Sequence, residues 1–351
     1  MTALTVPTRP GDDTSPRPLP WRRMAWVTWR QHRVALAAVA VFLGALAACL
    51  WLAGLKTHHA YAALVAACHP VASVACGGMS TSFIGTNGFL SNGLILQAVP
   101  AAIGAFAGAP VLARELETGT FRYAWTLGFG RRRWALAKLV PLAVALAAAT
   151  GALSVLLSWY YQPYLAAGNQ ALGIPEVTPF FPGLFSLRGV AFAAWTLAAF
   201  AIGVLAGLLV RRVVPAIVAT LAAYAALAFA AGGFLRPHYL TPLVTSNSNV
   251  PGSAWIISQW WTKDGKLAFA GRPPDLLLNQ FCSSLPSAPG ERKPSPGTFA
   301  QCLAQHGYTQ WTSYQPASRF WPFQWIEGGW LLALSLLLIA ITVWLVGRRA
   351  A

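Results

Sequence analysis

Long apolar segments alternate with polar connections along this chain. Six segments of about 20 residues contain no Asp, Glu, Lys, Arg or His. At a rise of ~1.5 Å per residue, a helix of about 20 residues crosses the ~30 Å hydrocarbon core of a bilayer. The pattern therefore predicts six transmembrane helices, over residues 34–55, 94–112, 139–159, 189–210, 213–235 and 328–346.

The composition excludes a soluble globular protein. Hydrophobic residues make up 56 % of the 351 residues and charged residues only 10 %, too few to cover a surface in water. The first 33 residues carry six arginines and five prolines, unlike a signal peptide, so we expect the first span to remain as an anchor. The predicted fold is an all-α integral membrane protein. Its parts are a tail with an elbow helix (1–33), five spans (34–235), a large loop (236–327) and the sixth span with a short end (328–351).

Lysine and arginine are concentrated in alternate connections. The N-terminal tail and the connection 113–138 carry six basic residues each, whereas the connections 56–93 and 160–188 carry one each. Short connections rich in Lys and Arg stay on the cytoplasmic side of a membrane. We therefore expect both termini in the cytoplasm and the loop 236–327 outside.

The segment 21–33 predicts a short amphipathic helix. At ~100° per residue its four arginines fall in one arc, which favours a helix lying in the inner headgroup layer near anionic lipid. An ordinary positively charged flank of the first span is the alternative. The basic residues that we expect at the membrane surface are Arg22, Arg23, Arg30, Arg33, Arg131, Arg132 and Arg133.

Four of the five cysteines fall in the two connections that the charge count places outside. Disulfides persist in oxidising compartments, and the spacings suit Cys68–Cys76 and Cys282–Cys302 bridges. Pairing between the two connections is the alternative, since spacing does not determine connectivity. A metal site would need reduced thiolates in a tetrahedral set, and we expect none. Its candidate ligands would be His58, His59, Cys68, His69 and Cys76.

Two pairs of glycines have the small-xxx-small spacing that lets membrane helices approach closely. They are Gly104 with Gly108 and Gly203 with Gly207. The spacing predicts close helix contacts, either within one bundle or between subunits.

The connection between the second and third spans has the most distinctive sequence. The run GAPVLARELETGTFRYAWTLGFGRRRWALAKL, residues 108–139, holds six basic residues and two of the nine acids. It resembles the second-span exit and cytoplasmic loop of ABC-2 type transporter permeases, and is similar to a bacterial subgroup with the motif GAP-LARELE-GT. The segment YQPASRFWPFQWIE, residues 314–327, also resembles that subgroup, as do the elbow, the six spans and the large outer loop.

The resemblance implies that this loop couples the membrane protein to a cytoplasmic ATPase. Acids near the start of a coupling helix suit its dipole, and aromatic side chains provide the anchors that dominate interface energy. A loop that only satisfies the positive-inside rule is the alternative. The residues implied in coupling are Arg114, Glu115, Glu117, Gly119, Thr120 and Phe121.

The function that follows is the permease subunit of an exporter in the bacterial plasma membrane. The chain has no G-x-x-x-x-G-K-[ST] phosphate loop, so we expect no cofactor here, with ATP and Mg on a separate ATPase subunit. We expect a homodimer or a heterodimer with a second permease, contact with the lipid bilayer, and no nucleic-acid partner. A membrane enzyme acting on a lipid-linked substrate is one alternative, with Asp264, Asp275, Glu327 and the histidines as candidate groups. A membrane anchor or immunity protein is another.

Overall fold

The structure, a computed structural model, contains six helices that are long and apolar enough to cross a bilayer. It describes residues 21–68, 74–86, 93, 96–119, 130–168, 178–246, 250–282 and 296–348. The predicted all-α membrane fold with six spans is therefore confirmed. Spans 1 to 6 are Ala37–Ala67, Ala98–Thr118, Arg131–Gly168, Gly189–Val210, Val213–His238 and Ala317–Arg348.

Successive spans carry the chain back and forth between two ends of the bundle. We call the end where span 2 stops and span 3 starts the basic end, and the opposite end, which holds Cys68 and Cys76, the disulfide end. Span 4 matches its predicted bounds, and each other span extends further at one end or both. Hydropathy detects only the part of a helix that is covered by hydrocarbon, whereas the helix itself continues into the polar headgroup layer.

Shorter elements complete the described chain. Span 2 contains a π-helical turn over Gly104–Gly108, and span 5 ends in a π-helical turn, Ala231–Leu235, and a 3₁₀ turn, Arg236–His238. A 3₁₀ turn, Ala317–Arg319, opens span 6. The remaining helices are Val74–Thr86, Pro182–Phe185, Asp275–Cys282 and Pro296–Gln305, and the strands are β1 (Leu243–Thr245), β2 (Trp255–Lys263), β3 (Lys266–Ala270) and β4 (Tyr308–Gln315).

The predicted elbow does not form a separate helix. One continuous helix runs over Trp21–Ala67, so the segment 21–33 leads straight into span 1. No glycine or proline interrupts the sequence before Gly44, and these are the residues that ordinarily bend or end a helix. Arg22 and Arg23 belong to this helix, and the side chains of Arg30 and Arg33 are exposed.

Span 4 is the centre of the bundle and packs against spans 2, 3, 5 and 6. A Cβ on Gly203 would lie 2.3 Å from the carbonyl oxygen of Gly104, and one on Gly207 would lie 2.4 Å from that of Ala109. Both distances are too short for any side chain, so glycine is required at this crossing. The two glycine pairs therefore join spans 2 and 4 within one chain, which decides between the two alternatives that their spacing allowed.

Disulfides join Cys68 to Cys76 and Cys282 to Cys302, the two pairs suggested by spacing. The first ties the end of span 1 to the helix Val74–Thr86. The second ties two helices of the large loop together. Cys49 is a free, exposed thiol in span 1.

The large loop contains a four-stranded antiparallel sheet that the sequence analysis did not predict. Its order is β1-β4-β2-β3. The β2–β3 hairpin turns at Asp264 and Gly265, both with positive φ, as an Asp-Gly turn requires. Trp261 packs with Leu303 and Tyr308 in a small core beside the Cys282–Cys302 disulfide. The loop thus carries its own folded unit, while residues 283–295 of the proline-rich excursion lie outside the described residues.

Candidate functional site

The predicted coupling residues lie at the basic end, where span 2 stops. The expectation that Glu115 and Glu117 lie near the start of a helix is wrong, because both lie near the C-terminal end of the helix Ala109–Thr118, where the dipole does not favour acids. The helix Ala109–Thr118 ends at Gly119, whose φ of 72° is left-handed, the usual conformation for a glycine that terminates a helix. The Thr118 hydroxyl donates to the Arg114 carbonyl at 2.8 Å, and the Arg114 side chain is exposed. Thr120 and Phe121 lie outside the described residues, as does the rest of the loop to residue 129.

Glu115 does not project freely from this helix but pairs with Lys138 of span 3. The Lys138 ammonium is almost completely buried, and it also lies 4.3 Å from the ring centroid of Trp134. Breaking such a pair leaves a charge without compensation in a poorly solvated site. The ion pair therefore fastens the last turn of span 2 to the first turns of span 3.

Glu117 contacts a third span. Its carboxylate accepts the backbone N–H of Val213, the first residue of the span 5 helix, at 3.1 Å. The first amides of a helix lack partners within the helix and carry its positive dipole end, so a carboxylate stabilises this position. The preceding turn is tight, with Arg211 in a left-handed conformation. Two acids from one helix thus reach two different spans.

Further basic side chains lie at the same end of the bundle. Arg132 and Arg133 are exposed and Arg131 is half-buried at the start of span 3. The Arg348 guanidinium lies 4.4 Å from the ring centroid of Trp344 near the end of span 6. The basic end therefore presents exposed cations, while the carboxylates of Glu115 and Glu117 are engaged within the bundle.

A second polar centre lies at the disulfide end and was missed by the sequence analysis. Arg236, at the end of span 5, pairs with Glu327 of span 6 through Nη2–Oε1 and Nε–Oε2 contacts of 2.7 and 2.9 Å. Both side chains are buried. The predicted spans excluded these two residues, yet opposite charges at the edges of successive apolar segments are a signal that could have suggested the pair.

Neutral donors complete the coordination of Glu327. Trp195 donates its indole N–H to Oε1 at 2.8 Å, and the Tyr239 hydroxyl donates to Oε2 at 3.2 Å. Burial raises the pKa of the Tyr239 phenol above its ordinary value, and the Glu327 charge raises it further, so the hydroxyl keeps its proton. Trp330 in turn donates to the Tyr239 oxygen at 2.9 Å. The network joins spans 4, 5 and 6.

The described residues do not assemble the alternative sites, and His69, one candidate metal ligand, lies outside them. Cys68 and Cys76 are joined to each other, and the described residues contain no cluster of three or more His, Cys, Asp or Glu that could hold a metal ion. Of the candidate groups for an enzyme, Asp264 lies in the hairpin turn, Asp275 is exposed, and Glu327 is held in its ion pair. These three carboxylates do not form one constellation.

Comparison with known protein families identifies a match. The family described as ABC-2 membrane transporter related matches residues 31–236, more than half of the chain. The match covers spans 1 to 5 and the loop that the sequence resemblance singled out. No curated protein and no solved structure matches the chain. The resemblance is therefore confirmed at the level of the family, and the chain belongs to the ABC-2 membrane transporter related family.

Proposed function

We propose that this chain is the permease subunit of an ATP-driven exporter in the bacterial plasma membrane, energised by an ATPase on a separate polypeptide. Membership of the family indicates a membrane component of an ABC transporter and, with it, an ABC ATPase partner. The proposal adds the direction of transport, the membrane, and a pore formed with a second copy or a homologous permease.

Contacts of the helix Ala109–Thr118 with two other spans carry this proposal. Glu115 is bonded to span 3 and Glu117 to the first turn of span 5. A partner that moves this helix would therefore move three spans together. This is the mechanical connection that a permease without its own ATPase needs.

The two kinds of predicted coupling residue then have different roles. Glu115 and Glu117 hold the loop to the bundle, whereas the exposed Arg114, with Thr120 and Phe121 beyond Gly119, contacts the ATPase. We place the basic end in the cytoplasm, because its arginines obey the positive-inside rule. We place the disulfide end outside, because disulfides persist under oxidising conditions.

Reversing the exposed charge tests the ATPase contact. We expect Arg114→Glu to insert normally and to lose most of the ATPase that co-purifies with tagged protein from native membranes, since repulsion at an interface costs affinity. Arg272→Glu is the matched control, because Arg272 is two-thirds exposed and lies in the large loop. Equal ATPase recovery with both variants would overturn this assignment.

A further inference from the structure

A small cavity lies beside the Arg236–Glu327 ion pair at the disulfide end. Its volume is about 90 Å³, several times the ~15 Å³ that one water needs. Spans 2, 4 and 5 form its walls together with the short helix Pro182–Phe185 and the turn that follows it. Its polar lining consists of Gln97, Ser186, Tyr224 and Arg236, and the other lining residues are apolar.

Arg236 has a donor group left over after all the contacts described above. Its Nε and Nη2 bond to Glu327, and Nη2 also donates to the Ser186 oxygen at 3.0 Å. Nη1 has no hydrogen-bond partner among the described residues, and it cannot rely on bulk water, because Arg236 is only 2 % exposed. A buried N–H without an acceptor is costly. Because Arg236 lines the cavity, the cavity favours a ligand that accepts hydrogen bonds.

The hydrogen-bond donors around the cavity favour an oxyanion. Glu327 is already shared with the neutral donors Trp195 and Tyr239, so it does not depend on Arg236 alone. The hydroxyl protons of Ser186 and Tyr224 add donors at the cavity wall. Guanidinium groups form strong charge-assisted hydrogen bonds with phosphate and carboxylate oxygens.

The position of the cavity favours phosphate among the oxyanions. Gln97 directly precedes span 2 and Arg236 lies in the last turns of span 5, so the cavity is at the depth where lipid headgroups meet the bundle. Tyr224, Ala228 and Gly232 form one stripe of span 5 along the cavity. Only 11 % of the most apolar stretch of span 5 is buried against the rest of the protein. The span therefore leaves apolar surface beside the cavity for acyl chains.

We propose that this cavity binds a phosphate group, with Arg236 Nη1 as its principal donor and Ser186 and Tyr224 as further donors. The phosphate is carried by a phospholipid or is free in solution, and the two sources are separated by the test below. This inference does not rest on the proposed transport function.

The test measures thermal unfolding of the purified full-length chain in detergent with four probes. They are dihexanoyl phosphatidylglycerol, dihexanoyl phosphatidylcholine, dihexanoylglycerol, which lacks phosphate, and inorganic phosphate. A saturating ligand of the native state raises the unfolding temperature by several degrees. We expect both phospholipids to do so and dihexanoylglycerol not to. The same rise with inorganic phosphate would identify the free anion as the ligand.

Two adjacent glycines provide a matched pair of variants. Gly232 lines the cavity and Gly233 does not, and a Cβ at either position meets nothing within 4 Å. Gly232→Leu should fill the cavity and abolish the stabilisation, whereas Gly233→Leu should retain it. Ala228→Leu fills the same cavity if Gly232→Leu does not fold. An undiminished response in the filled variants would overturn the proposal, as would an equal response to dihexanoylglycerol or no response of the wild-type protein.

Discussion

Two ion pairs between spans, among the residues that the structure describes, differ in how completely they are held. At the disulfide end, Glu327 is fully buried and accepts from Arg236, Trp195 and Tyr239. At the basic end, Glu115 is 18 % exposed, and its described side-chain bond is to Lys138. A carboxylate with several buried donors resists displacement, whereas a partly solvated one can exchange its partner for water. The disulfide end is thus the fixed end, and under the proposed function the basic end is the movable end, on which the ATPase acts.

The largest expected effect concerns which side of the membrane each end faces. In a Cys49→Ala chain on intact cells, an impermeant maleimide should label Cys282 and Cys302 only after reduction. A cysteine introduced as Arg133→Cys, at the basic end, should be labelled only after the membrane is opened. The opposite pattern would reverse the orientation, and with it the assignment of the movable end to the cytoplasm.

Breaking the fixed pair should cause the largest loss of stability. Glu327→Gln leaves the Arg236 guanidinium buried without a counter-charge, and we expect a cost of about 3–5 kcal/mol in the free energy of unfolding. The double variant Arg236→Met/Glu327→Leu removes both charges and should recover part of this loss. Denaturant unfolding in detergent measures both. A double variant that is no more stable than the single one would show that the charges are not the cause.

Breaking the movable pair should cost less. Glu115→Gln leaves the buried Lys138 without its counter-charge, but the side chain at position 115 is 18 % exposed and an amide oxygen there can still accept from the ammonium, so we expect a loss of about 2 kcal/mol. Removing both groups with Glu115→Leu/Lys138→Met should recover most of it. Denaturant unfolding in detergent measures both variants. If Glu115→Gln lowered the free energy of unfolding as much as Glu327→Gln does, the two ion pairs would be held equally firmly.

The smallest effect on stability should come from Glu117, and it should be accompanied by a functional defect. Glu117→Lys removes the acceptor of the Val213 N–H and places a cation at the start of the span 5 helix, at a cost below about 1 kcal/mol. We expect the variant to retain its bound ATPase subunit but to transport less substrate per ATP hydrolysed. Assays of ATP hydrolysis and export in proteoliposomes measure this ratio. An unchanged ratio would show that Glu117 does not transmit motion to span 5.

The features of the fold that were predictable from the sequence depend on residues close together in the chain, and those that were not depend on distant residues. The six spans were predictable because hydropathy over ~20 residues is a local property that decides membrane insertion. The close approach at Gly104 and Gly203 was also predictable, since only small residues allow it. Their partner helix was not, because the spacing is the same for contacts within one chain and contacts between chains.

Local signals likewise failed for the large loop. The β2 sequence WIISQWWTK and the β4 sequence YTQWTSYQ do not alternate cleanly between apolar and polar residues, and their pairing connects residues about 50 positions apart. The Asp264-Gly265 turn was a recognisable hairpin signal, and it was the part of the sheet that the sequence could have revealed.

By itself, the sequence determined the six membrane spans, the charge asymmetry between their ends and the family resemblance. Each depends on composition or on residues close together in the chain. Only the tertiary structure decided the partners of the charges, because Arg236 and Glu327 are separated by 91 residues and Glu115 and Lys138 by 23. A charge at the edge of a span can contact headgroups, water or another charge of the protein. In both pairs, the packing of the helices brings the two opposite charges into contact with each other.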